Sequence, residues 1–220
     1  MRRREGEGDA SEARSEAQPS GVHHATIRAF FAIELSEPVR CAAAAEAATL
    51  RARPGGDAVR WVRPENLHVT LRFLGDIAPA RVASLAAHVR AQTAALAPFA
   101  LQLGALASFP TGRRPRVVVL ELAPEAPLAA LAEAVERGVV AAGCAPEPRA
   151  FRGHLTLGRV RARGMPPSLA ELAVPPAVFE VTESVLFASE LHPSGSRYTP
   201  LERVPLGGAG GGRLQSSHHP

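Results

Sequence analysis

The tetrapeptide His68-Val69-Thr70-Leu71 returns 86 residues later as His154-Leu155-Thr156-Leu157. Each copy lies in an apolar alternating run, Leu67 to Leu74 in the first case and His154 to Val160 in the second. Alternation with period two marks a β-strand, in which residues i and i+2 face the same way. Each copy therefore presents one imidazole and one hydroxyl on one face and commits two aliphatic side chains to the other. A fold that brings the two strands together sets two imidazoles in one place. Such a pair suits general acid–base catalysis, where one group takes a proton while the other gives one.

Around these runs the chain reads as one folded unit over residues 25–206. Residues 1–24 are polar and poor in large apolar side chains, and read as a disordered tail. The run Gly207-Gly208-Ala209-Gly210-Gly211-Gly212 opens a flexible Gly-rich tail over 207–220. His23, His24, His218 and His219 lie in or beside these tails and are set aside. The N-terminus lacks the apolar middle of a signal peptide, and no apolar run is long enough to span a membrane. A cytoplasmic protein without a membrane partner is expected.

All 25 basic residues are arginine. The missing lysine excludes a Walker phosphate-binding loop and any covalent lysyl intermediate. A net charge of +4 and a pI near 10.3 permit an anionic partner such as RNA without requiring one. Cys41 and Cys144 fall in alanine-rich helical patterns, which suits reduced, buried thiols. No third ligand clusters with the motif histidines, and no Cys-x-x-Cys spacing occurs, so neither a metal site nor a cofactor is expected.

The coarse pattern is strand (Ile27–Leu35), helix (Ser36–Arg53), short strand (Val59–Val62), then the first motif strand. A second helix is expected from an Asp76–Pro79 cap to Leu96. Strands over Phe99–Leu106 and Arg116–Leu122, a helix over Pro127–Ala142 and the second motif strand follow. Phe179–Glu190 and Arg197–Val204 read as a closing hairpin around Pro193-Ser194-Gly195. The halves echo each other. The expectation is an α+β fold of two pseudo-symmetric lobes, with antiparallel sheets lining a central cleft and helices outside.

The motifs and their flanks carry a resemblance. Arg28-Ala29-Phe30-Phe31-Ala32-Ile33, the stretch from Trp61 to Gly75, Phe109-Pro110, Arg114-Pro115-Arg116-Val117 and the stretch from Phe151 to Val160 are all similar to the 2H phosphoesterases. Within that superfamily they resemble the RNA 2′,3′-cyclic phosphodiesterase group, also called 2′-5′ RNA ligases. The likeness runs from about Ile27 to Leu206. It implies a metal-independent phosphoric diester hydrolase that opens RNA 2′,3′-cyclic phosphate ends to 2′-phosphates, acting as a monomer on RNA or a cyclic nucleotide. It also implies His68 as proton donor and His154 as proton acceptor. The two motifs are too alike for the residues themselves to decide that order.

Other candidates follow from position. Thr70 and Thr156 sit beside each imidazole, where a hydroxyl can hold a phosphate oxygen; their ordinary reading is strand propensity. Arg72 shares the alternation face of His68 and Thr70 and is a candidate phosphate contact, or else a solvated rim charge. Arg116 follows the basic pair Arg113-Arg114 and is another candidate. Phe30 is a candidate base-stacking ring, with a core role as the alternative. Arg159 is one residue out of phase with His154 and Thr156 and is left out unless a bulge re-aims it. Gly158 is in phase and leaves room for substrate. Two other functions remain open: ligation at the same site, and a nucleotide- or RNA-binding module without turnover.

Overall fold

A computed structural model describes residues 26–111, 114–169, 172, 174–192 and 195–207; the two tails lie outside it, apart from Gly207. Twelve regular elements run along this part of the chain. They are β1 (Ile27–Glu34), α1 (Glu37–Arg51), β2 (Val59–Trp61), β3 (His68–Ile77), α2 (Val82–Thr93), β4 (Phe99–Phe109), β5 (Val117–Ala123), α3 (Glu125–Ala141), β6 (His154–Val160), β7 (Val178–Val181), β8 (Glu183–His192) and β9 (Gly195–Pro205). The class is α+β, as the patterning predicts.

All pairings are antiparallel, in the order β7-β4-β5-β6-β3-β1-β8-β9, with β2 added to β6. The two motif strands β3 and β6 are neighbours at the middle, joined by the single pair Val69↔Leu155. The sheet of one half and the sheet of the other thus meet at the motifs. Thr182 alone separates β7, at one edge, from β8, which lies beyond the middle. Consecutive Cα atoms are about 3.8 Å apart, so the sheet must curl until its edge approaches β8. The expected single strand over Phe179–Glu190 is broken at Thr182 for this reason: its first part pairs with β4 and its second with β1.

One face of the curled sheet is backed by all three helices. Val39, Ala43 and Leu50 of α1, Leu85 and Val89 of α2, and Leu128, Leu131 and Val135 of α3 join Val69, Leu71, Leu155 and Leu157 in one core. The aliphatic positions of both motifs are therefore spent on packing. α1 follows β1 but lies against β2 and β6, whereas α3 follows β5 but lies against β3. Each half's helix backs the other half's motif strand, which ties the lobes together. A second, small cluster on the opposite face holds Phe30, Ala32, Val185, Phe187 and Tyr198.

Three details depart from expectation. Asp76 does not cap α2: it lies in β3 opposite Arg28, and a 3-10 turn over Pro79–Arg81 opens the helix instead. Cys41 is exposed, because the buried stripe of α1 runs through Val39, Ala43 and Ala47 and misses it; Cys144 is partly buried. Ser36 precedes α1 but makes no side-chain capping bond. No helix among the described residues is long and apolar enough to cross a membrane.

The crossing of α2 and α3 rests on Gly138. A Cβ there would lie 2.6 Å from the Val89 Cα and 2.8 Å from its backbone nitrogen. Backbone cannot yield as a flexible side chain does, so Gly138→Ala forces the helices apart. Overpacking of this kind costs about 1–3 kcal/mol. The expected result is a melting temperature lower by several degrees, at about 2–4 °C per kcal/mol for a chain of this size. An unchanged thermal denaturation midpoint would contradict this account of the helix pair.

Candidate active site

β3 and β6 present their motif polar groups on the face away from the helices. Continuing the register of Val69↔Leu155 sets His68 across from Thr156 and Thr70 across from His154. In a regular ladder such diagonal neighbours as the two histidines are about 7–8 Å apart. His154 is close enough to act on His68 electrostatically, being among the causes that lower the His68 pKa.

The two imidazoles are held alike. His68 donates from Nδ1 to the Asn66 carbonyl at 2.7 Å, and His154 donates from Nδ1 to the Arg152 carbonyl at 2.7 Å. In both motifs the residue two positions earlier supplies the acceptor. A carbonyl can only accept, so Nδ1 carries the proton in the neutral ring and Nε2 keeps its lone pair. The His68 Nε2 accepts from the Thr70 hydroxyl at 3.0 Å. His154 has no hydrogen bond at Nε2 among the described residues and lines a cavity of about 610 Å³.

Aromatic rings flank both histidines. Phe30 and Tyr198 stand 4.9 and 5.2 Å from His68, ring centre to ring centre, and Phe109 stands 5.6 Å from His154. Arg152 lies over the other ring of this group, its guanidinium carbon 3.6 Å from the Phe109 centroid. Burial is the main cause that pushes both histidine pKa values below 6.5. The hydrogen bonds to Asn66 and Arg152 oppose it. Repulsion from Arg159 and His154 adds to the lowering at His68, and from Arg152 and Arg159 at His154.

Arg159 is the residue that reading by period missed. Val118 pairs with Gly158 but Val119 pairs with Thr156, so Leu157 is an extra residue without a partner. This β-bulge buries Leu157 and Gly158 in succession and returns Arg159, exposed, to the imidazole side. The consecutive apolar pair before an arginine was the available signal. Gly158 does not make room for substrate: a Cβ there would meet Val59 Cγ1 at 2.4 Å and Trp61 Cε3 at 3.1 Å. Its missing side chain admits β2.

Phe30 is only 2 % exposed and packs on Phe187 and Tyr198 as well as on His68. A ring buried on these sides cannot stack a base, so the expected substrate contact is corrected to support of the imidazole. Arg72 is likewise engaged by protein. Nε donates to Glu136 at 2.5 Å, Nη1 to the Phe73 carbonyl at 2.6 Å and Glu147 at 3.2 Å, and Nη2 to the Ala145 carbonyl at 2.6 Å. With these donors engaged it joins β3, α3 and the segment before β6, and the expected phosphate contact gives way to a strut. Thr156 is partly buried beside β3. Arg116 is exposed and lines a neighbouring groove with Arg114, Arg159, Arg161 and Arg163 rather than the cavity beside His154. Arg113, Pro193 and Ser194 lie outside the described residues. Among the described residues, no group of three or more His, Cys, Asp and Glu side chains is placed to hold a metal.

Comparison with known proteins agrees with this architecture. The chain is 34% identical over 181 residues to a Methanothermobacter thermautotrophicus protein named RNA 2′,3′-cyclic phosphodiesterase, covering 80% of this chain and 97% of that one. It is 33% identical over 156 residues to a Geobacillus stearothermophilus protein of the same name, of which it spans about half the length (49%) and which matches 70% of this chain. The crystal structure of E. coli LigT complexed with 3′-AMP superposes with a TM-score of 0.67 at 29% identity, over 83% of this chain and 99% of the other. The family described as the 2′-5′ RNA ligase superfamily matches residues 39–192. A match over most of the folded region, beside relatives above 30% identity, makes this chain a member of the 2′-5′ RNA ligase superfamily.

Proposed function

We propose that the protein hydrolyses RNA 2′,3′-cyclic phosphate ends to 2′-phosphate ends by a metal-independent relay between two imidazoles. The observation that carries this reading is the matched pair of histidines, each with Nδ1 tied to a carbonyl and Nε2 turned to proton transfer. The relatives above are named for this activity. In the reaction a water oxygen attacks phosphorus and gives its proton to His154 Nε2. The bond from phosphorus to the 3′ oxygen breaks, and His68 Nε2 protonates that oxygen. A 2′-phosphomonoester and a 3′-hydroxyl result.

The free Nε2 of His154 and the cavity beside it support its role as base, since the attacking water needs access. Thr70, Thr156 and Arg159 take the non-bridging oxygens as charge builds on them. Arg159 is suited to this because its charge reaches both imidazoles. The same pair of imidazoles supports a second reading, in which an RNA end takes the place of water. A 5′-hydroxyl in place of water would join RNA ends through a 2′-5′ linkage. Incubating RNA halves with and without a 5′-hydroxyl partner separates the two.

His68→Ala and His154→Ala are each expected to lower turnover of a 2′,3′-cyclic mononucleotide by about two to four orders of magnitude, while each variant still folds and shows a cooperative thermal transition. Near-full activity in either variant rules out the relay. A protein that binds cyclic nucleotide without turnover in its unaltered form would be a binding module instead. Full activity is expected in excess EDTA without ATP. Activity lost on chelation and restored by a divalent ion would replace this mechanism with a metal-assisted one.

The pH profile follows from the lowered pKa values. Only the singly protonated pair reacts. With both imidazoles below 6.5 in the free protein, that state is most populated on the acid side of 6.5 and declines as pH rises. The kcat/KM profile is therefore expected to be a bell centred below 6.5, with apparent pKa values that belong to the pair. Bound phosphate adds negative charge and favours the imidazolium, so the kcat profile should lie at higher pH. A kcat/KM that still climbs above neutrality, with chemistry rate-limiting, would contradict the assignment.

A further inference from the structure

The imidazole pair lies between two grooves of different charge. On the α3 side, the cavity with Thr70 and His154 also carries Glu133, Glu136 and Glu147 among its arginines. On the other side a groove of about 1130 Å³ runs between the segment before β5 and the end of β6. Arg114, Arg116, Arg159, Arg161 and Arg163 line it. Among the described residues its lining contains no Asp, Glu or aromatic side chain. A hollow of about 460 Å³ continues from Arg159 past Arg60 and Arg63 to Asn66 and Tyr198, beside His68. β2 and β6 pair Arg60 with Arg159, so both side chains rise from the same face one strand apart.

This gathering of like charge is unfavourable in the empty protein and is relieved by a polyanion. Arg161 donates to the Asp57 carbonyl at 3.3 Å, which orients it without neutralising it. Arg63, which pairs with Glu65 at 3.8 Å, lines the smaller hollow and not the groove.

We propose that this groove is the track for the body of a single-stranded RNA whose reacting end lies between His68 and His154. The strand leaves the imidazoles over Arg159, and its upstream phosphates lie against Arg114, Arg116, Arg161 and Arg163. This inference rests on the preceding reading for the position of the strand's end. The charge pattern sets the direction: every charged side chain described in the groove is an arginine, whereas the α3-side cavity intersperses Glu133, Glu136 and Glu147 with its four arginines, two of which are already paired with Glu136 and Glu147. The groove's lining offers no ring for a base to stack on, so it recognises the backbone irrespective of sequence.

The test uses the full chain and the triple variant Arg114→Gln, Arg161→Gln, Arg163→Gln. Fluorescence anisotropy measures binding of a 3′-phosphorylated single strand of about ten nucleotides, a length within the usual single-strand site size, at several salt concentrations. Steady-state kinetics compares a cyclic mononucleotide with a strand of the same length ending in a cyclic phosphate. Losing three phosphate contacts should weaken strand binding about tenfold or more at low salt and flatten the plot of log affinity against log salt by about two. The kcat/KM for the strand should fall in parallel while that for the mononucleotide stays unchanged. Unaltered strand binding and salt slope would overturn the proposal, as would strand binding that weakens instead when Arg137 and Arg149 on the α3 side are changed. An equal loss on the mononucleotide would also overturn it. Failure of the catalytic reading appears separately, as absent turnover by the unaltered protein, and the binding measurement still decides the groove.

Discussion

The molecule depends on the contact between β3 and β6. Only Val69 and Leu155 pair there, yet that pair fixes which residues face which. Because side chains alternate with period two, a slip of one residue would send an imidazole into the helix-backed core and an aliphatic group into the cleft. The slip is opposed from behind. Val69, Leu71, Leu155 and Leu157 are all buried in the core built on α1, α2 and α3. The crossed placement of α1 behind β6 and α3 behind β3 makes the junction a shared property of both halves. Packing thereby secures the catalytic register, although one backbone pair alone would secure little.

That same packing sets the electrostatics. Rings around His68 and the partial burial of His154 remove water from the imidazoles, and burial is the leading cause of their lowered pKa values. The bulge then adds a permanent positive charge at Arg159. Both effects disfavour the imidazolium form in the resting site and leave it ready for a negative ligand. A phosphate entering between them reverses the balance, because its charge favours the imidazolium that the empty site disfavours.

Much of this was legible in sequence where the signal was local. The duplicated His-x-Thr pattern announced two strands and their polar faces. The first strand, the three helices and the α+β class followed from alternation, alanine-rich stretches and breakers. What was not legible depended on long-range geometry. Period two places Arg72 on the imidazole face, but the pairing of β3 with β1 skips Leu71 and sets Arg72 opposite Phe31 on the helix-backed face, where its partners Glu136 and Glu147 are 64 and 75 residues away. Phe30 is buried by β8 and β9, which no local pattern reveals. The break at Thr182 falls inside a stretch of good strand formers and exists only because the sheet curls. Leu157-Gly158 was visible as an irregular pair, yet only the pairing with β5 turned it into a bulge.

Orientation of the histidines is passed on in steps, by different means in the two halves. On one side, Asn66 gives its carbonyl to His68 while its side-chain amide donates to the Ser196 carbonyl of β9 at 2.7 Å. One residue thus ties the imidazole to the last strand. On the other side, Arg152 gives its carbonyl to His154, and the segment leading to it is anchored upstream. Arg72 grips Glu147 and the Ala145 carbonyl, and Glu136 of α3 also accepts from the Glu147 backbone N–H at 2.8 Å. Hydrogen bonding from Arg149, then the charges of Arg149 and Arg72, hold the Glu147 carboxyl below its ordinary pKa, so this link stays ionised. A lysine has three donors at one point and could not span these acceptors, whereas the planar guanidinium fork reaches them in separate directions. In a chain whose basic residues are all arginine, that fork joins β3, which carries one imidazole, to the segment that orients the other.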